Sequence, residues 1–270
     1  MVLCRWGSEG GKTLMALFRR LRSPGSIPYN RAVQGAEGFR IPVIDFAKFR
    51  TAKSLPEKKA IADEIVTAFK ESGFLYLAGH GIPSATIQDV FAKVNFIRVL
   101  AFGRDIQEVA NSKLAWEDPR SNRGYVAVGR ERVTQSADAD EIAQLRAKAP
   151  DFKESMEIGR DWDSTWKNQW PQESDAPQFK RSMLDFYQTC HDLHVLVMRS
   201  IALGLDLKES YFDDKVSDQC HNLRLLSYPP VTRSVLDKEG QARAGAHSGM
   251  HTPRKPLAII SHSEMQIMVP

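Results

Sequence analysis

Residues 222–230, "NLRLLSYPP", decide the fold class of this chain. A short apolar run that ends at a Pro-Pro pair is typical of a buried β-strand followed by a turn. A second strand is predicted at 241–247, "QARAGAH", after a polar turn around "LDKEG". The two segments predict a sheet that begins only near residue 222.

The chain ahead of this sheet is predicted to be mainly helical. Ser54, followed by Pro56 and Glu57, indicates a helix start, and Gly73 its end. An apolar strand follows in "FLYLAGHGIP", and a long helix with one apolar stripe is predicted from Pro177 to Gly204. Residues 115–176, rich in Trp, Asp and Pro, are predicted to form long surface loops. The expected fold class is therefore α+β, with helices packed on a sheet.

Composition argues against two classes of partner. The 270 residues carry a net charge of +4 without a dense Lys/Arg block, so we expect no nucleic-acid partner. No apolar run approaches the ~20 residues of a membrane-spanning helix, so no membrane partner is expected either. Cys4, Cys190 and Cys220 are odd in number and widely spaced, which indicates free thiols in a reducing compartment. The oligomeric state stays open.

The first 40 residues are basic and differ from the rest. Glu9 and Glu37 are the only acidic residues there, against seven Lys and Arg. Two interpretations remain: a disordered basic leader on a cytoplasmic protein, or a mitochondrial transit segment.

Six segments, in order and spacing, carry a resemblance to a known family. They are "IPVIDF" (41–46), "SGFLYLAGHGIP" (72–83), "NRGY" (122–125), "ESMEIGRD" (154–161), "HNLRLLSYPP" (221–230) and "GQARAGAHS" (240–248). Together they resemble the isopenicillin N synthase-like, 2-oxoglutarate-dependent Fe(II) dioxygenases. The resemblance runs from about Ile41 to Ser248.

The resemblance implies an architecture and a division of the chain. A helical N-terminal region is expected to pack on a double-stranded β-helix, or jelly roll, which is incomplete in this chain. The expected parts are a basic leader (1–40), the non-haem dioxygenase N-terminal region (41–160), the long helix and first strands of the oxygenase domain (161–248) and a tail outside the family pattern (249–270).

The resemblance also implies cofactors and site residues. Iron is held in this family by a His-x-Asp pair and a distant second His, which leaves coordination positions open for cosubstrate and dioxygen. His247 matches the first metal ligand, and Tyr228 matches a tyrosine that contacts 2-oxoglutarate. Asn122, Arg123, Gly124 and Tyr125 match a segment on the substrate side, and the Trp-rich loop 160–170 is also expected to face substrate.

The other histidines are given structural roles. His80 lies between glycines in a predicted tight turn. We expect His191, His194 and His221 to be helix-surface or core residues without a partner at ligand spacing.

One departure from the family pattern bears on activity. Gly249 stands where the resemblance places the carboxylate ligand, so Fe(II) and 2-oxoglutarate are not expected to bind this chain stably. The codons for Gly249, Met250 and His251 are compatible with a splice donor. The tail is therefore expected to be a retained intron, with a gene-model error or a genuine isoform as the alternatives.

Two functions follow as expectations. The first is a non-haem Fe(II), 2-oxoglutarate-dependent oxidoreductase that hydroxylates, desaturates or cyclises a small molecule, with its metal site incomplete in this chain. The second is a catalytically inactive remnant or binding fragment of the same family.

Overall fold

The computed structural model describes residues 3–5, 33–34, 40–102, 114–115, 121–129, 139–148, 151–228, 231–236 and 265–268. The helices are α1 (Ala47–Thr51), α2 (Leu55–Glu71), α3 (Ser84–Phe102), α4 (Ala139–Lys148), α5 (Phe179–Gly204), α6 (Asp213–Val216) and α7 (Arg233–Leu236). The strands are β1 (Leu3–Arg5), β2 (Val33–Gln34), β3 (Arg40–Ile41), β4 (Val43–Asp45), β5 (Phe74–Ala78), β6 (Gly124–Val126), β7 (Glu154–Ile158), β8 (Leu223–Ser227) and β9 (Met265–Met268). These elements form an α+β fold, as predicted.

The chain divides into two compact units. Unit 1 comprises Met1–Ile82, Thr189–Gln219 and Gly249–Ser263, and unit 2 comprises Pro83–Gln188, Cys220–Ser248 and Glu264–Pro270. No helix within the described ranges is both long and apolar enough to cross a membrane.

Unit 1 is built around strand β5. Strand β4 pairs with β5 in parallel and β1 pairs with it antiparallel, while β2 and β3 form a separate antiparallel pair. Leu75, Tyr76 and Leu77 of β5 are buried, as expected for an apolar run of this length. The prediction of a strand here is confirmed.

The start and end of α2 follow the signals in the sequence. Ser54 Oγ accepts a hydrogen bond from Glu57 N (3.4 Å), and Ser54 N donates to Glu57 Oε2 (3.3 Å). These reciprocal bonds satisfy two backbone N–H groups that the helix itself cannot pair. Gly73 follows the helix with φ +70°, and its N–H donates to Phe69 O (3.1 Å).

Unit 2 holds a second set of strands. β6, β7 and β8 pair antiparallel in that order, and β9 pairs in parallel with β8. Strand β8 confirms the prediction for 222–230. The strand predicted at 241–247 lies outside the described residues.

Two expectations about strands are wrong. The sheet was expected to begin near residue 222, but β4, β5, β6 and β7 all precede it. Residues 115–176 were expected to be loops, yet they include β6, α4 and β7. All five residues of β7 are buried, although two are glutamates. The two glutamates interrupt the apolar pattern by which a buried strand is predicted. Their partners lie on other elements, so the sequence of the strand alone does not explain their burial.

Candidate functional site

The sheet β6–β7–β8 carries a row of polar residues on one face. Pairing places Gly124 opposite Glu157, and Glu157 opposite Arg224. Because side chains alternate along strands, Ser155 lies on the same face as Glu157. We call Ser155, Glu157 and Arg224, together with Gly124 opposite Glu157, the polar face; the apolar residues Val126 and Leu226 lie opposite Ser155 on the same side of the sheet.

A buried ion pair is the centre of the polar face. Arg224 Nε lies 2.5 Å from Glu157 Oε1, and the Glu157 side chain is only 1% exposed. Ser155 Oγ donates to the same carboxylate oxygen (3.0 Å). A carboxylate withdrawn from water this far is retained when a cation and hydrogen bonds compensate its lost hydration. The pair therefore fixes charge and donor positions on this face.

Gly124 lies where β6 approaches the backbone of Leu114 closely. Its φ is +105°, a conformation that side-chain-bearing residues avoid, and an added Cβ would lie 2.6 Å from Leu114 O. The position therefore requires glycine on both conformational and steric grounds.

Tyr125 lies on the opposite face of the sheet. Its hydroxyl donates to Glu154 Oε2 (3.0 Å), and Glu154 is 2% exposed. Burial, and secondarily the neighbouring Glu154 carboxylate, raises the pKa of Tyr125. Tyr125 therefore stays protonated and acts as a hydrogen-bond donor within the sheet.

Arg123 clamps three chain segments together. Its Nη1 donates to Ser121 O (3.1 Å), Asn122 O (2.9 Å) and Asn222 Oδ1 (2.8 Å). The guanidinium also lies directly against Gly159, where an added Cβ would fall 2.0 Å from Cζ. Burial lowers the pKa of Arg123. The "NRGY" segment is thus tied to the start of β8 and the end of β7.

Tyr228, the expected cosubstrate contact, is half-buried and follows β8 directly. Continued alternation from Arg224 and Leu226 would place it on the polar face. His247 and Gly249 lie outside the described residues. Their roles, and the substrate-side role of Asn122, Arg123, Gly124 and Tyr125, stay predictions.

The loop between β7 and α5 is held by its own side chains. Asn168 Oδ1 accepts from Gly159 N (2.9 Å), and Asn168 Nδ2 donates to Gly159 O (2.8 Å). The side-chain amide thus makes the two hydrogen bonds that the backbone of a neighbouring strand would make. Asp161 Oδ1 accepts from Trp170 Nε1 (2.9 Å), and Lys180 forms an ion pair with the other oxygen of that carboxylate (2.8 Å).

Asp163 organises the tip of the same loop. Its Oδ1 accepts from the backbone N–H groups of Thr165 and Trp166 (both 2.9 Å), and its Oδ2 accepts from Arg160 Nε (3.0 Å). These bonds, the one from Trp166 first, lower the pKa of Asp163 to about 2. Trp162, beside it, is 60% exposed.

Two histidines of α5 come closer than expected. His191 and His194 have imidazole nitrogens within 4.8 Å of one another, so the expectation that neither has a partner at ligand spacing is wrong for this pair. Their rings stand 6.5 Å apart between centroids. Burial lowers the pKa of His191 and lowers that of His194 to about 4. The spacing His-x-x-His on a predicted helix was the signal, since residues three apart share a helix face.

Two further histidines make described contacts of their own. The His221 ring stacks on Tyr187 at 4.4 Å, and Tyr187 Oη donates to His221 O (3.0 Å). His80 Nδ1 accepts from Ile82 N (3.1 Å), which agrees with a structural role in the turn.

The described residues fit the expected iron and cosubstrate only in part. Of the residues that the resemblance assigns to them, Tyr228 alone lies in the described part of the chain. Arg224 and Ser155 have the donor chemistry that a carboxylate requires, but both already engage Glu157. The ligand set that the resemblance implies for iron cannot be assembled from this part of the chain.

Comparison with known proteins agrees with the sequence resemblance. Residues 41–173 match the family model described as non-haem dioxygenase in morphine synthesis, N-terminal. The 2-oxoglutarate-Fe(II) type oxidoreductase ppzD of Metarhizium rileyi is 32% identical over 215 residues, which are 79% of this chain and 58% of that protein.

Solved structures give the same result. A full-length Neurospora crassa protein in complex with alpha-KG is 35% identical with a TM-score of 0.67, over 80% of this chain and 63% of that one. The same Neurospora crassa protein with alpha-KG and thymine is 37% identical with a TM-score of 0.63, at the same coverage. The chain thus spans about three fifths of the length of these relatives. It belongs to the 2-oxoglutarate-dependent Fe(II) dioxygenase family.

Proposed function

We propose that this chain carries the N-terminal region and the first oxygenase strands of a non-haem Fe(II), 2-oxoglutarate-dependent oxidoreductase. Its reaction would be hydroxylation, desaturation or ring closure of a small molecule. The observation that carries the proposal is the likeness to the Neurospora crassa protein in complex with alpha-KG, at 35% identity over 80% of the chain. The complex of that protein with thymine supports a small-molecule substrate.

The cofactor roles are proposed from the sequence motifs. His247 would bind Fe(II) within a jelly roll, and the Tyr228 hydroxyl would donate to 2-oxoglutarate. When bound, iron and 2-oxoglutarate supply the activation of dioxygen that oxidises the substrate. The protein supplies positions and a site from which water is excluded.

The polar face would serve the same site by fixed geometry. The Glu157–Arg224 pair holds β7 and β8 in register and leaves Tyr228 at the end of β8. Arg123 ties Asn122 to Asn222 and so holds the substrate-side segment beside β8. The polar face and the hydrogen bonds of Arg123 would thus hold the substrate-side segment and the Tyr228 segment at a fixed distance and orientation.

The departure at Gly249 gives the proposal its test. A glycine supplies no ligand atom, so we propose that this chain holds Fe(II) weakly as it stands. Gly249→Asp would restore the His-x-Asp pair. The expected result is at least tenfold tighter binding of Co²⁺, used as an air-stable substitute for Fe(II), together with more succinate from Fe(II) and 2-oxoglutarate.

The matched control is Gly249→Asn, which has the same shape without the charge. Equal Co²⁺ affinity and equal succinate yield in the original chain, Gly249→Asp and Gly249→Asn would contradict the assignment of His247 and position 249 to the iron site.

The cellular location is proposed to be cytoplasmic, with the mitochondrion as the alternative because of the basic first 40 residues. Imaging a C-terminal fluorescent fusion, with and without residues 1–40, distinguishes the two.

A further inference from the structure

His191 and His194 form a pair on one face of α5. They are three positions apart in the helix Phe179–Gly204, and their imidazole nitrogens lie within 4.8 Å of one another. Residues at this spacing lie above one another on a helix, so both rings project to the same side. His191 is 8% exposed, and His194 is half-buried.

The distance between the nitrogens is close to what a shared metal ion requires. Zinc–imidazole bonds are about 2.0–2.1 Å, so two nitrogens on one tetrahedral ion lie about 3.4 Å apart. A separation of 4.8 Å or less exceeds that value by about 1.4 Å at most, an adjustment of the size that side-chain torsions supply. The helix therefore holds the two histidines near each other, and the side-chain torsions adjust the distance between their nitrogens.

The surroundings favour the form of histidine that binds metals. Burial disfavours the charged imidazolium and lowers the pKa of both side chains, which favours the neutral form of each ring. A neutral imidazole has one nitrogen lone pair for a ligand bond. Imidazole nitrogens suit zinc, cobalt, nickel and copper, whereas Mg²⁺ and Ca²⁺ take oxygen ligands.

We propose that His191 and His194 are a two-histidine binding site for a divalent transition cation of the zinc, cobalt, nickel and copper class. Two protein ligands leave the other coordination positions of the ion to water or further groups. The site goes beyond the proposed oxygenase function, which assigns iron to His247 on another segment. Failure of either proposal leaves the other standing.

The test is a Co²⁺ titration of the full 270-residue chain, followed by the visible absorption of the bound ion. The expected result is saturable binding whose affinity falls on the order of 10–100-fold in His191→Gln and in His194→Gln. His80→Asn is the matched control, because asparagine keeps an acceptor for Ile82 N while it removes a histidine elsewhere. Its affinity should match that of the original chain.

A second measurement uses the unchanged chain, so it does not depend on the folding of variants. In the presence of dissolved dioxygen as the oxidant, Cu²⁺ with ascorbate oxidises the histidines that hold the copper. The tryptic peptide Ser182–Arg199 contains His191 and His194 and no other histidine. Tandem mass spectrometry should find 2-oxohistidine at one or both positions.

Two outcomes would overturn the inference. One is unchanged Co²⁺ affinity in a folded His191→Gln/His194→Gln variant. The other is absence of oxidised histidine in Ser182–Arg199 when peptides with other histidines are oxidised. If the first outcome is found and His247→Ala abolishes Co²⁺ binding, the metal belongs to the oxygenase site.

Discussion

Arg224 on β8 and Glu157 on β7 stand directly opposite each other in the sheet, and their side chains meet as a buried ion pair at 2.5 Å. Removing one partner of such a pair lowers the free energy of unfolding by more than the pair itself contributes to it, because the remaining charge stays buried without compensation. This asymmetry makes the pair a sensitive point of the β6–β7–β8 sheet.

Glu157→Gln should lower the free energy of unfolding by about 3 kcal/mol or more, since it leaves the Arg224 guanidinium buried without a counter-charge. Urea denaturation at pH 7 measures the change. The matched control is Asp213→Asn, which breaks the Arg199–Asp213 pair, whose side chains are 38% and 33% exposed. Solvent screens that pair, so its loss should cost less than about 1 kcal/mol. Equal losses in the two variants would contradict the structural assignment.

Arg123 and Asn222 should be coupled energetically. The bond from Arg123 Nη1 to Asn222 Oδ1 is 2.8 Å long and involves a charged donor. A double-mutant cycle of Arg123→Ala and Asn222→Ala should give a coupling free energy of about 1–2 kcal/mol from denaturant unfolding. As a control, Arg181→Ala and Asp185→Ala remove a pair that is 79% and 76% exposed, and their coupling should be near zero. Strictly additive effects at Arg123 and Asn222 would refute the clamp.

Asp163 should contribute to acid sensitivity. Its pKa in the folded chain, about 2, is below its ordinary value of 3.8. A depressed carboxyl pKa stabilises the fold above about pH 4, and the stabilisation is lost as the pH falls from 4 towards 2. Asp163→Asn should therefore lower the free energy of unfolding by roughly 1–2 kcal/mol at pH 7, with the difference shrinking by pH 2.5. Urea unfolding of both proteins at pH 7, 4 and 2.5 tests this, and a constant difference would contradict it.

Gly204→Ala should destabilise the chain even though alanine is the better helix former. A Cβ at Gly204 would lie 2.5 Å from Ala62 O and from Val66 Cγ2, so α5 and α2 would have to move apart. We expect a loss of about 1–3 kcal/mol, against a propensity gain of about 1 kcal/mol. Thermal unfolding followed by circular dichroism measures the change, and a raised Tm would show that the two helices do not approach this closely.

Cys190 and Cys220 should differ sharply in reactivity. Cys190 is 3% exposed, and burial raises the pKa of its thiol to about 12, whereas Cys220 is exposed. A disulfide reagent such as DTNB attacks through the thiolate, so Cys220 should react in the native protein and Cys190 only on unfolding. Comparing Cys190→Ala with Cys220→Ser, each in a Cys4→Ser background, assigns the reactive group. Fast native labelling of Cys190 would contradict the burial.

The local elements of the fold were predictable from sequence, and the polar pairings were not. The start of α2 was predictable because Ser54 and Glu57 are three residues apart and cap the helix by themselves. Strand β8 was recognisable from its apolar run. Strand β7 was not, because the partners of Glu154 and Glu157 are Tyr125 and Arg224 on neighbouring strands. A buried charged residue can be predicted only when its partner is known, and the partner is known only from the tertiary structure.

The candidate site shows the same division. The family motifs predicted site roles for Tyr228 and the 122–125 segment, and those roles stay predictions. That Gly124 and Tyr125 lie on opposite faces follows from strand alternation only once β6 is known. His191 and His194 were visible as His-x-x-His. Their significance depended on their burial and on the distance between their imidazole nitrogens, which only the structure gives.

The self-bonded loop between β7 and α5 has a thermodynamic consequence for association. Asn168 and Asp163 already hold the loop backbone, Asp161 holds the Trp170 side chain, and Trp162 in the same loop is 60% exposed. A loop that is ordered before a ligand arrives gives up little conformational entropy when it binds. When a molecule stacks on Trp162, the conformational entropy lost would therefore be mainly that of the molecule. Its dissociation rate would depend on the strength of the stacking contact and not on a rearrangement of the loop.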